Sequence, residues 1–104
     1  MVQVTLGSAA QSVTVETDQV IAVFVDENPS TGYRWEVETL TGPLTLVSSE
    51  FQPAADATPG RGGRRAIVTR AGRRGSGELR IRSVRSWEGA SSDSPRRTLT
   101  VVVE

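Results

Sequence analysis

Tyr33-Arg34-Trp35-Glu36-Val37-Glu38 sets an aromatic or aliphatic residue at every second position and a charged residue between them. Successive side chains of a β-strand point to opposite faces, so this stretch describes a strand with one face on a core and one in water. The same alternation recurs on both sides of it. Val2, Val4 and Leu6 alternate with polar residues, as do Val13 and Val15. Leu79 and Ile81 alternate with Arg80 and Arg82, and Leu99, Val101 and Val103 with Thr98, Thr100 and Val102. Val20-Ile21-Ala22-Val23-Phe24-Val25 is apolar on both faces, which suits a strand at the centre of a sheet. No window carries the period of a long amphipathic helix.

Strands are therefore expected at 2–6, 11–16, 20–26, 33–39, 44–50, 64–70, 77–85 and 96–103, with turns at Thr41-Gly42-Pro43 and Ala71-Gly72-Arg73-Arg74-Gly75. About seven to eight short strands predict an all-β fold, an immunoglobulin-like antiparallel β-sandwich. The length of 104 residues suits one domain over 1–104. Strand parity would carry Ser83 and Arg85 onto the inner face, so the strand is expected to bend or end near there.

Composition excludes most chemistry. The chain has no cysteine and no histidine, and all twelve of its basic residues are arginine. Disulfide frameworks, thiolate nucleophiles and Ser-His-Asp or Cys-His catalysis are ruled out within this chain, together with the commonest metal ligand. The protein is not expected to be an enzyme, and no cofactor or metal is expected. The zero net charge conceals segregation. Residues 1–59 hold one arginine against eight acids, and residues 60–104 hold eleven arginines against four. Arg80 and Arg82 are expected opposite Glu36 and Glu38 as cross-strand ion pairs, which would neutralise the apparent basic patch. Nucleic acid is accordingly not an expected partner. Nor is a membrane, since the longest apolar run falls far short of the ~20 residues of a spanning helix.

Three alternate connections, 27–32, 51–63 and 86–95, should fall at one end of the sandwich, as antibody binding loops do. The first holds Asn28-Pro29-Ser30-Thr31-Gly32-Tyr33, where Pro29 fixes the backbone and Gly32 permits a positive φ. Proline in the middle position excludes Asn28 as a glycosylation acceptor. The second holds Gly60-Arg61-Gly62-Gly63, in which absent side chains would let the backbone approach a partner closely. The third holds Arg85-Ser86-Trp87, with a tryptophan beside a glycine-flanked tip, a residue type enriched at interface hot spots. Glu27, Asp56, Glu88 and Asp93 near these loops read as solvated rim charges.

Together the three motifs resemble the chagasin family of cysteine peptidase inhibitors, whose pattern is Asn-Pro-Thr-Thr-Gly-Tyr/Phe, then Gly-x-Gly-Gly, then Arg-Pro-Trp, in that order. Trp35 also fits the family, and the segment 87–101 is similar to its final loop and strand. Ser30 and Ser86 depart from the pattern, standing where the family has Thr and Pro. The resemblance implies a reversible, non-covalent inhibitor that wedges three loops into the cleft of a papain-like cysteine peptidase. Asn28, Pro29, Ser30, Thr31, Gly32 and Tyr33 would enter the centre, with Ser30 and Thr31 near the peptidase's Cys and His. Gly60, Arg61, Gly62 and Gly63 would lie along the non-primed side, and Arg85, Ser86 and Trp87 on the primed side.

The competing expectation is an immunoglobulin-like docking or adhesion module using the same loops on another protein. The free chain is expected to be monomeric. It would be cytoplasmic if Met1 is the native start, and secreted or periplasmic if a leader has been removed.

Overall fold

The alternation produces eight strands: Val2–Thr5 (β1), Gln11–Val15 (β2), Val20–Glu27 (β3), Tyr33–Leu40 (β4), Leu44–Pro53 (β5), Gly63–Ala71 (β6), Gly75–Arg85 (β7) and Arg96–Val103 (β8). The structure, a computed structural model, describes residues 1–28, 31–53, 62–85 and 94–104. One sheet has the order β1-β3-β6-β5 and the other β2-β8-β7-β4. The expected immunoglobulin-like sandwich is thus present, with all eight strands close to their expected places.

Between the sheets lie Ile21, Val23 and Val25 of β3, Ile67 of β6, Leu79 and Ile81 of β7, and Leu99, Val101 and Val103 of β8. Each large side chain withdrawn from water in this way contributes about 1.5–3 kcal/mol. β3 lies between β1 and β6, which explains why its outer face is apolar too. There Ala22 is buried, and the Arg64 guanidinium covers Phe24 at 3.8 Å from the ring centre.

Direction is one feature that alternation does not encode. β3–β6, β5–β6, β4–β7 and β7–β8 are antiparallel, whereas β1–β3 and β2–β8 are parallel. The chain leaves β1, crosses to the other sheet for β2 and returns for β3, so β1 and β3 run the same way side by side.

β7 ends at Arg85, where the strand was expected to bend or end, with Ser83 opposite Trp35 and Arg85 opposite Tyr33. The inner position that looked unsuitable for an arginine lies beside an aromatic ring.

The segregated charges meet across strands. Asp18 pairs with Arg70 at 3.1 Å, Glu27 with Arg65 at 2.9 Å and Glu36 with Arg82 at 2.6 Å. Glu36 stands directly opposite Arg82, as expected, but the register slips between Val37 and Thr39. That bulge places Arg80 opposite Thr39, and Arg80 pairs instead with Glu78 of its own strand at 2.8 Å. Glu38 takes Arg82 at 3.4 Å and Arg96 of β8 at 3.0 Å. Apart from the buried Glu27–Arg65 pair, these are exposed pairs, a kind that contributes only about 0–1 kcal/mol each, so their main effect is to match the charges of the two halves.

The hydrogen bond from Arg96 holds the Glu38 carboxyl below its ordinary 4.5, and the charges of Arg96, Arg82 and Arg80 act the same way against a partial desolvation. The fold thus favours the ionised form. Its contribution is complete above pH 4.5 and disappears as the pH falls through the depressed folded value. Urea unfolding at about pH 7 and about pH 3 should show a smaller acid loss of stability in Glu38→Gln than in the wild type. Equal losses in the two proteins would refute this assignment.

Candidate functional site

All three motif-bearing connections spring from one end of the sandwich. β3 leaves at Glu27 and β5 leaves at Pro53, and both residues stand opposite Gly63, where β6 returns. β7 leaves at Arg85 opposite Tyr33, where β4 returns, and β8 returns at Arg96 opposite Arg82. Asn28, Thr31, Gly32, Tyr33, Gly62, Gly63 and Arg85 are described and gathered at this pole. Pro29, Ser30, Gly60, Arg61, Ser86 and Trp87 lie outside the described residues.

The first loop is braced from within. The Asn28 carbonyl accepts hydrogen bonds from the Thr31 amide at 3.2 Å and from the Thr31 hydroxyl at 2.8 Å. The same hydroxyl oxygen accepts from the Tyr33 amide at 3.3 Å. Gly32 has a φ of 80°, a left-handed conformation that a side chain would strain. The Thr31 hydroxyl is therefore engaged in holding the turn. The exit of this loop is tied to the entry of the third, because the Arg85 guanidinium lies 4.4 Å from the centre of the Tyr33 ring. Such a cation–π contact contributes about 0.5–1 kcal/mol at exposed sites.

The return of the second loop runs against the departure of the first. Gly62 has a φ of 80°, and a Cβ built there would lie 3.0 Å from both the Asn28 Cβ and the Glu27 carbonyl oxygen. Glycine at 62 therefore has a reason inside the fold, independent of any partner.

Beneath these two loops lies a charged group that the sequence reading placed elsewhere. Glu27 is not a solvated rim charge: its side chain is 3% exposed. Its Oε1 accepts from the Trp35 amide at 2.6 Å and from Arg65 Nε at 2.9 Å. The Trp35 indole N–H donates to the Asp26 carbonyl at 2.8 Å, and Arg65 Nη1 lies 3.2 Å from Ser49 Oγ. The signal was present in parity, since Glu27 continues the inward series Ile21, Val23, Val25. Asp56, Glu88 and Asp93 lie outside the described residues.

The Trp35 side of this network borders a cavity of about 260 Å³ whose walls include Asn28, Tyr33, Ser83 and Pro95. Arg97 approaches the Trp35 ring at 5.4 Å, and its buried Nε has no hydrogen-bond partner among the described residues. Among the described residues no group of three or more acidic, histidine or cysteine side chains is placed to hold a metal ion.

An immunoglobulin-like sandwich that gathers the necks of three connections at one pole is built to present loops to a partner. Its family follows from the sequence: the model described as Chagasin family peptidase inhibitor I42 matches residues 14–103, and the chain belongs to that family. No curated protein sequence matches it significantly. Solved structures share its fold. The cysteine protease inhibitor EhICP2 from Entamoeba histolytica has a TM-score of 0.78 at 21% identity, covering 99% of this chain and 94% of its own. PbICP-C in complex with falcipain-2 has a TM-score of 0.77 at 13% identity, with 100% of both chains covered. Leishmania mexicana ICP has a TM-score of 0.68 at 22% identity, covering 92% of this chain and 90% of its own.

Gly62→Ala should destabilise the folded protein by about 1–2 kcal/mol, because L-residues disfavour the left-handed conformation by that amount. Chemical denaturation measures it. Unchanged stability would mean that the loop return does not pack on Glu27 and Asn28.

Proposed function

We propose that this protein is a reversible, non-covalent inhibitor of papain-family cysteine peptidases, acting as a single domain over residues 1–104. Three loops at one pole occlude the active-site cleft. Asn28, Pro29, Ser30, Thr31, Gly32 and Tyr33 enter the centre, Gly60, Arg61, Gly62 and Gly63 follow the non-primed side, and Arg85, Ser86 and Trp87 dock on the primed side. The observation that carries the reading is the convergence of the three loop necks on a sandwich of this inhibitor family. A solved neighbour in complex with falcipain-2 supports it.

The physical division of labour is consistent with inhibition rather than catalysis. A turn braced by Thr31 and Gly32 loses little freedom on binding, so little of the interaction energy is offset by ordering. A glycine-rich segment offers backbone N–H and C=O groups to a cleft built for an extended peptide. A tryptophan supplies buried area at the edge of the contact. The peptidase contributes the cysteine and histidine that this chain lacks.

Titration against a panel of papain-like peptidases, with a serine peptidase as control, tests the reading. Reversible inhibition at micromolar or lower concentration is expected for the former alone. Trp87→Ala should weaken it about thirtyfold, the equivalent of a ~2 kcal/mol hot spot. No inhibition across the panel at micromolar concentration would favour a docking module for another protein.

A further inference from the structure

We propose that Glu27 is a positioning residue for inhibition: its carboxylate sets the first and second loops relative to each other before a peptidase arrives. The inference rests on the inhibitory reading above and names the residue that prepares the site. The described partners of its carboxylate are the Trp35 amide and Arg65, and it acts through them.

The geometry is specific. Glu27 is the last residue of β3, so its backbone begins the first loop. Trp35 lies two residues beyond Tyr33, on the far side of that loop, and its amide donates to Glu27 Oε1 at 2.6 Å. Arg65 lies two residues beyond Gly63, on the return of the second loop, and its Nε reaches the same oxygen at 2.9 Å. Gly62 approaches the Glu27 carbonyl so closely that a Cβ there would sit 3.0 Å away. One residue thus fixes both sides of the first loop and the return of the second, and it spans both sheets.

An apolar side chain could fill this space but could not set those positions. A buried ion pair adds little to stability over well-packed apolar groups, and its separable effect is to select one arrangement. The carboxylate accepts from two donors on different strands, so shifting either loop neck breaks a charge-assisted bond or strands a buried amide. Without it the two loops would adopt several relative placements, of which only a fraction matches the cleft. Affinity falls by that fraction.

Four variants and one wild-type measurement test the proposal. Glu27→Gln keeps an acceptor for the Trp35 amide and removes the charge; Arg65→Met removes the other partner and leaves the Glu27–Trp35 bond. Both should weaken inhibition by roughly tenfold in protein that denaturation curves show to be folded under assay conditions. The loss should come with faster amide exchange at Thr31 and Gly62, and the double variant should lose less than the product of the single losses, because both act through one oxygen. Glu36→Gln, which removes an ion pair on the outer face, should leave inhibition unchanged. Should Glu27→Gln fail to fold, Arg65→Met carries the comparison. In the wild type itself, slow exchange of the Trp35 amide is expected, and rapid exchange would overturn the clamp without any variant. Equal inhibition by wild type and folded variants, or strictly multiplicative losses, would overturn the positioning role alone. A wild-type protein that inhibits no peptidase removes the inhibitory reading, and this proposal with it.

Discussion

The buried carboxylate of Glu27 sits where the two sheets, two loops and the aromatic end of the core come together. Glu27 occupies a position that parity reserves for an apolar side chain, and it is retained there with Arg65 and the Trp35 amide as partners. Withdrawing a charge from water is costly, and removing one partner of such a pair exposes the full cost, about 3–5 kcal/mol. The neighbouring bond from the Trp35 indole to the Asp26 carbonyl adds a second link between the sheets at the same level. Below this level the sandwich is closed by aliphatic packing, and above it begin the loops. The polar layer is therefore the boundary between a core that specifies the fold and a surface that specifies the partner.

The same logic extends to the charges outside the core. Acids of the first half meet arginines of the second in the pairs Asp18–Arg70, Glu36–Arg82 and Glu38–Arg96. Exclusive use of arginine suits this role, since its guanidinium presents several donors in a fixed plane and can lie over aromatic rings as well. Both uses occur: Arg82 spans Glu36 and Glu38, while Arg64 covers Phe24 and Arg85 covers Tyr33. A basic stretch that suggests an anionic ligand when read linearly becomes, once folded, one side of a set of cross-strand pairs.

Much of this was legible in the residues. Alternation marked β1, β2, β4, β7 and β8, which set apolar residues at every second position, and the unbroken run Val20–Val25 correctly indicated a central strand. Loop composition indicated the pole, since alternate connections of such a sandwich share an end. What alternation could not convey was direction, and so the parallel pairs at the two edges were not foreseen. Nor does composition mark a bulge: the slip at Glu38 exchanged the expected partner Arg80 for Arg96. Glu27 was misplaced for another reason. A carboxylate next to a loop is usually solvated, and only its parity with Ile21, Val23 and Val25, together with an arginine at the same parity on β6, argues otherwise.

The parallel pairing of β2 with β8 has a consequence for how the chain reaches this state. Gln11 stands opposite Leu99 and Val15 opposite Val103, so an early strand obtains its neighbour from the last residues of the chain. β3 likewise waits for β6, and Glu27 for Arg65. Contacts so distant in sequence must close large loops before they stabilise anything, which slows folding. A nascent chain emerging from its N-terminus presents acidic, apolar strands whose partners and counter-charges have not yet been made. The fold is consequently not a module that grows outward from one hairpin; it is completed only when its two ends meet.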